Sequence, residues 1–86
     1  MKINSIKDFQ RIPGVGPQIA QDLWQMGFRA VHELKDVDPE KMYQDLCRLQ
    51  GGHVDRCMLY VFRCAVYFAS NDIHQPDLLK WWNWKD

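Results

Sequence analysis

Two glycines that are one residue apart lie between two prolines in residues 11–27, RIPGVGPQIAQDLWQMG. Gly14 and Gly16 allow backbone angles and close approaches that a β-carbon would forbid. Pro17 suits the first turn of a helix, where its missing N–H is no loss. The N-terminus of such a helix has unpaired N–H donors and the positive end of the helix dipole, which together attract anions. The pattern therefore predicts either a tight corner between two helices or a corner that also holds an anion.

A second group of residues has side chains that bind soft metal ions. His53, Cys57 and Cys64 are spaced to share one face of a helix, and Cys47 belongs to the segment before it. Free cysteine is also among the most buried residue types, and it packs as a small apolar side chain. Because no C-x-x-C pair is present, we expect these cysteines to pack as apolar side chains. We expect no bound metal and no cofactor. A Cys/His metal or redox module is the third functional alternative.

The sequence contains no pattern that indicates catalysis. It has no Walker phosphate loop, no H-E-x-x-H and no recognisable serine–histidine–aspartate set, so we expect a protein that is not an enzyme. The 11 basic and 11 acidic residues balance, which argues against a strong, charge-driven grip on nucleic acid. The charges are unevenly distributed, because residues 1–29 are mildly positive and residues 30–55 are acidic.

The C-terminal segment is rich in tryptophan and lysine. Trp81, Trp82 and Trp84 stand beside Lys80 and Lys85, a combination that can stack nucleic-acid bases or contact a protein partner. Three tryptophans in four residues cannot all point the same way. We expect one or two of them to cover the central helix as a brace and the remaining ring to form an exposed patch for a protein partner.

The N-terminus MKINSIKDFQ has no apolar region of the kind found in secretory signal peptides. The three cysteines are an odd set, which suits free thiols in a reducing compartment. The longest apolar run, CMLYVFRCAVYFA, is too short to span a bilayer and contains Arg63. We therefore expect a cytoplasmic protein without a membrane segment, in which Arg63 pairs with Asp45, Asp55 or the C-terminal carboxylate, or else faces water.

Periodicity and capping signals predict about five helices and no strands. Ser5 is expected to cap the first helix and Asp38 the fourth, while Gly51 and Gly52 should end the fourth, whose apolar stripe includes Leu49. The expected helices cover residues 6–12, 17–26, 28–37, 39–49 and 54–69, and a short helix or turn covers residues 76–86. The last long helix is apolar on most sides, so it should be central.

The two halves of the chain show a weak internal repeat. At a constant offset, a helix, a glycine turn and a second helix in the first half align with the same elements in the second half. The matched pairs are Phe9 with Leu46, Ile12 with Leu49, Gly14 with Gly51 and Ala20 with Cys57. This pattern suggests an internal duplication.

The segment FQRIPGVGPQIAQDLWQMG resembles a helix-hairpin-helix motif. That motif has an apolar residue, a Gly-apolar-Gly hairpin and a helix with a small residue four positions after the second glycine; here these are Ile12, Gly14-Val15-Gly16 and Ala20. The whole chain, including LQGGHVDRC, LYVFRCAVYFAS and LLKWWNWKD, resembles the small bacterial "pathogenicity locus" family, which is helix-hairpin-helix-like. The resemblance implies one all-α, SAM-like domain over residues 1–86. Within it, the first hairpin covers 6–27, a degenerate second hairpin covers 39–70, and the C-terminal brace covers 76–86.

The resemblance also implies a function and a set of site residues. In helix-hairpin-helix proteins the hairpin N–H groups hold a nucleic-acid phosphate without reading the sequence. Carried over to this chain, the contacts come from Arg11, Pro13, Gly14, Val15, Gly16 and Gln18, with a weaker second hairpin at Gly51, Gly52 and His53. Many DNA-binding members have Lys or Arg just after the second glycine, where this chain has Pro17 and Gln18.

We therefore expect a non-enzymatic module that binds DNA weakly, non-specifically and with strong salt dependence. The alternative is a protein-interaction or scaffold module that keeps the fold without binding DNA, with its partner at Trp81, Trp82 and Trp84. The residues do not distinguish DNA from RNA.

Overall fold

A computed structural model describes residues 2–86, all of whose regular structure is helical. The four α-helices are α1 Lys2–Phe9, α2 Pro17–Gln25, α3 Pro39–Gln50 and α4 Cys57–Ser70, and short 3₁₀ turns cover Val31–Leu34, Pro76–Leu79 and Trp81–Trp84. The all-α prediction is confirmed for this part of the chain. The predicted count of about five helices is not, because the segment 28–37 contains only a four-residue 3₁₀ turn. Met1, which the predicted domain includes, lies outside the described residues.

The first helix begins and ends earlier than its sequence pattern predicted. Ser5, the expected cap, lies inside α1 and is buried. The helix ends at Phe9, and a turn follows in which the Ile12 N–H donates to the Phe9 carbonyl at 3.0 Å. Pro13 disfavours the α region for Ile12, and the turn allows Ile12 to be buried in the core.

The third helix has the ends that its local signals predicted. Asp38 caps it by accepting the Glu40 N–H at 3.0 Å, and Pro39 occupies the first position. Gly51 ends it in the left-handed conformation, with φ of 71°. Leu49 was predicted to face the core, but it is 56% exposed. The part of α3 that packs against the core therefore ends about one turn before the helix does.

The central helix begins later than predicted and packs on several sides. α4 starts at Cys57 rather than at Val54, because Asp55 accepts the Cys57 N–H at 2.9 Å. Val54 is buried ahead of the helix, where its carbonyl accepts the hydroxyl of Tyr43. α4 contacts α3, the turn Val31–Leu34 and the C-terminal segment. Within residues 2–86 no helix, α4 included, is long and apolar enough to cross a membrane.

The C-terminal segment is fastened to α4 by polar contacts. Arg63 donates to the Trp84 carbonyl at 2.7 Å and pairs with the side-chain carboxylate of Asp86 at 2.9 Å. Arg56 pairs with the same carboxylate at 2.8 Å. The predicted partners Asp45 and Asp55 are wrong. Asp45 is engaged by Lys41 and Arg48, and Asp55 accepts the N–H of Cys57, the first residue of α4.

Candidate functional site

The first glycine turn is anchored in the core by its central residue. Val15 is only 6% exposed, and its N–H donates to the Ile12 carbonyl at 3.1 Å. Gly14 before it has a φ of 87°, a conformation that suits glycine. Of the predicted contact residues, Val15 therefore holds the turn in place and has no N–H left to offer a ligand.

Unpaired donors gather where this turn becomes α2. Gly16 stands ahead of the helix in an extended conformation, and its carbonyl accepts the Ala20 N–H at 3.0 Å. No side chain caps α2, and the N–H groups of Gly16, Gln18 and Ile19 have no acceptor among residues 2–86. Pro17 between them has no N–H. These three donors and the positive end of the helix dipole are what an anion would meet.

The exposed surface that follows these donors has no charge. Gln18, Gln21 and Gln25 are the exposed polar residues along α2. The acid in this helix, Asp22, is turned inward and is 8% exposed, and burial raises its pKa above the usual value. An anion at the start of α2 would therefore meet neither a surface carboxylate nor a cation of the same helix.

Arg11 forms an exposed ion pair with Asp8, three residues earlier in the chain. Its guanidinium pairs with Asp8 at 2.5 Å, and the other carboxylate oxygen of Asp8 accepts the Val31 N–H at 2.8 Å. The Val31 N–H, together with Arg11, holds the pKa of Asp8 below its usual value. Arg11 lines a polar cleft together with His32 and His74, and its charge is partly neutralised there.

The C-terminal brace lies directly against the first hairpin. A β-carbon built on Gly14 would lie 3.0 Å from Cδ1 of Trp81, whereas one on Gly16 would have no neighbour within 4 Å. Trp81 is half-buried and packs on the core. Sequence reasoning missed this contact, because more than 60 residues separate the two positions and no local pattern links them.

The second glycine pair has a different geometry from the first. The Gly51 N–H donates to the Arg48 carbonyl at 3.2 Å and the Gly52 N–H donates to the Cys47 carbonyl at 3.1 Å. This pairing is a Schellman cap, and it uses both donors to end α3. His53 is exposed, and α4 starts only at Cys57. The predicted second hairpin therefore presents no glycine N–H groups to a ligand.

The cysteines do not share one environment. Cys64 is fully buried, and burial raises the pKa of its thiol to about 11. Cys57 is exposed, and its hydrogen bond with Asp55 raises its thiol pKa. Cys47 is half-buried. Among residues 2–86, no three His, Cys, Asp or Glu side chains are grouped so that they could hold a metal ion.

Comparison with known proteins gives one match. The family model described as "Pathogenicity locus" matches residues 2–86, which is nearly the whole chain. No curated protein and no solved structure matches it.

Proposed function

Since the chain belongs to the Pathogenicity locus family, a description that names no ligand and no reaction, we propose its function from the geometry of the first hairpin. The protein is a non-enzymatic module that holds a nucleic-acid phosphate at the start of α2, without reading the base sequence. The single observation that carries the proposal is the set of unpaired N–H groups on Gly16, Gln18 and Ile19.

The surroundings of these donors support a phosphate rather than a cation or an apolar ligand. Backbone N–H groups at a helix N-terminus are hydrogen-bond donors aimed at the position where the helix dipole favours negative charge. Gly16 has open space on its α-carbon, so a phosphate can approach the backbone closely. Backbone contacts of this kind position a strand but carry no sequence information.

The arrangement of α1 and α2 supports a helix-hairpin-helix relationship. The two helices pack against each other across the turn that contains Gly14, Val15 and Gly16. We assign the first half of the chain to a helix-hairpin-helix unit of the SAM-like type on this basis. The second half is its degenerate counterpart, in which the glycines cap α3 and the following helix starts several residues later.

The proposed binding is weak because the site has few charges. Arg11, the cation nearest in sequence to the hairpin, is paired with Asp8, and the exposed side chains along α2 are neutral glutamines. The proposal applies equally to DNA and RNA phosphates.

A charge placed at the start of α2 tests the proposal. The Gln18→Glu substitution puts a carboxylate among the unpaired donors, and there it also stabilises the helix through the dipole. The matched control is Gln25→Glu, which makes the same change in net charge at the other end of the same helix. Binding of a labelled duplex and a labelled single strand is measured by fluorescence anisotropy at low and near-physiological salt.

We expect binding to weaken with salt and to fall about fivefold in the Gln18→Glu variant, which corresponds to about 1 kcal/mol, the repulsion between two well-hydrated charges about 4 Å apart. The Gln25→Glu variant should bind nearly as the unmodified protein does. Equal losses in the two variants would mean that net charge, and not the hairpin, controls binding. If neither nucleic acid binds at low salt, the proposal is wrong and the glycines only form a tight turn between α1 and α2.

A protein-interaction module remains the second candidate. The observation that favours it is the apolar Leu49, 56% exposed, in a shallow cleft with half-buried Met26 between α2 and α3. This surface would become the first candidate if nucleic acid fails to bind.

A further inference from the structure

The three C-terminal tryptophans have different environments, and only one is available to a ligand. Trp84 is half-buried, and its indole N–H donates to the Leu78 carbonyl at 2.8 Å. Trp81 is half-buried between the core and Gly14. Trp82 is 49% exposed. The large apolar ring of Trp82 is therefore presented to solvent by a segment whose other two rings are engaged.

Trp82 is connected to the first hairpin through Trp81. Its ring meets Trp81 edge to face, with centroids 5.8 Å apart and planes 87° apart. Because the ring of Trp81 itself lies against Gly14, one ring separates Trp82 from the hairpin. Asn83 fixes the local turn, with its N–H on the Lys80 carbonyl at 3.0 Å and its side-chain amide on the Asp77 carbonyl at 2.8 Å. The turn that carries the Trp82 ring is therefore formed before a ligand binds, which lowers the entropy cost of stacking.

The charges around Trp82 suit a polyanion. Lys80 and Lys85 flank it in the chain, and both are exposed. Lys80 lies 3.9 Å from the carboxylate of Asp77, which is itself 87% exposed. The other acid of this segment, Asp86, is already occupied by Arg56 and Arg63. The brace therefore presents an aromatic ring beside two lysines. Proteins that bind single-stranded nucleic acid combine aromatic rings with positive charges in the same way.

We propose that Trp82 stacks on an unpaired base of the strand whose phosphate is held at the first hairpin, so that the ligand is single-stranded nucleic acid. This inference rests on the proposed function, because it uses the hairpin to hold the neighbouring phosphate. A duplex offers its base edges in the grooves and hides the base faces within the stack. An unpaired base exposes its face, and stacking on an aromatic side chain tolerates any sequence.

The test compares a labelled oligothymidine with a labelled duplex of the same length, using the full chain and fluorescence anisotropy at low salt. Trp82→Ala removes the ring, and Trp82→Phe restores a smaller ring. Ile73→Ala is the control, because it removes an exposed apolar side chain from the loop after α4. Gln18→Glu reports separately on the hairpin.

We expect Trp82→Ala to weaken single-strand binding by about 5- to 150-fold, the range that corresponds to stacking of one base. Trp82→Phe should recover much of the loss. Duplex binding by the Trp82 variants, and single-strand binding by Ile73→Ala, should stay close to those of the unmodified protein. Far-ultraviolet circular dichroism of each variant establishes that the helices are intact.

Three results would overturn the inference in distinguishable ways. If Gln18→Glu weakens single-strand binding and Trp82→Ala does not, the hairpin holds phosphate without base stacking. If Trp82→Ala weakens duplex and single strand equally, the preference for an unpaired base is wrong. If neither ligand binds the unmodified protein, the hairpin contact and the stacking proposal both fail.

Discussion

Gly14 satisfies two separate constraints at one position. Its φ of 87° lies in the left-handed region, where a β-carbon is strained, and the space for a β-carbon is occupied by the Trp81 ring. Gly27 has only the first constraint, since its φ is 103° and nothing lies within 4 Å. Gly16 has neither, because its φ of −93° is ordinary for any residue and its surroundings are open. Alanine substitutions at the three glycines can therefore distinguish the cost of backbone strain from the cost of a clash with a neighbouring side chain.

We predict that alanine at these positions changes stability in a graded order. Gly16→Ala should change the free energy of unfolding by less than about 1 kcal/mol, because the lower entropy of the unfolded chain offsets the poorer N-cap that alanine makes for α2. Gly27→Ala should cost about 1 kcal/mol through the left-handed backbone. Gly14→Ala should cost about 2 kcal/mol or more, because Trp81 must also shift. Urea unfolding followed by tryptophan fluorescence measures all three.

The comparison between Gly14 and Gly27 is the informative part of this series. Equal losses would mean that Trp81 moves aside without cost and that the brace is only loosely attached to the hairpin. A loss in Gly16→Ala as large as that in Gly14→Ala would contradict the open space found around Gly16.

At the scale of elements, one side chain joins two parts of the chain that are far apart in sequence. Asp8 near the end of α1 accepts the Val31 N–H at 2.8 Å and pairs with Arg11 at 2.5 Å. Val31 begins the 3₁₀ turn that packs on α4. Asp8 therefore fixes the turn Val31–Leu34 relative to the helix that leads into the first hairpin.

We predict that Asp8→Ala lowers the free energy of unfolding by about 1–2 kcal/mol, because a hydrogen bond to a charged acceptor is lost. Asp8→Asn keeps an acceptor and should lose less. Asp72→Ala is the control, since it removes an exposed acid from the same cleft, and it should change stability little. Chemical unfolding at neutral pH measures the three variants, and equal effects of Asp8→Ala and Asp72→Ala would contradict this role.

Helix ends followed the sequence where the signal is local and departed from it where the signal is distant. Asp38, Pro39 and Gly51 set the ends of α3 as expected, because capping depends on neighbouring residues. Apolar periodicity misplaced the ends of α1 and α4, because Ile12 and Val54 are buried in the core without being helical. Pro13 and Asp55 mark the actual boundaries. Residues 28–37 form only one 3₁₀ turn, in which burial of Val31 and Leu34 needs no longer helix.

At the scale of the whole molecule, the last residue of the chain closes the brace onto the central helix. The Asp86 carboxylate accepts hydrogen bonds from Arg56 and Arg63, and these bonds hold its pKa below the usual value. A carboxyl group with a lowered pKa in the folded state stabilises the fold above its unfolded pKa, about 3.9 for Asp. That contribution is lost as the pH falls through the folded pKa.

We predict that Asp86→Asn is less stable than the unmodified protein at neutral pH and that the difference shrinks as the pH falls below about 4. Asp77→Asn is the control, because the Asp77 side chain is 87% exposed and its carboxylate comes no closer than 3.9 Å to the Lys80 amine. Urea midpoints across a pH series provide the measurement. A difference between Asp86→Asn and the unmodified protein that persists undiminished at low pH would show that the ion pairs do not fasten the brace.

The sequence by itself determined the helical class, the glycine turn before α2 and both ends of α3, because periodicity, prolines and caps act over a few residues. The hydrogen bonds that use the N–H groups of Val15, Gly51 and Gly52 also join residues that are close in sequence. Only the tertiary structure decided that the Asp8 carboxylate accepts the Val31 N–H. It also decided that Trp81 lies under Gly14 and that Trp82 is the exposed ring. Contacts between distant segments depend on how the helices pack, and local sequence patterns carry no record of that.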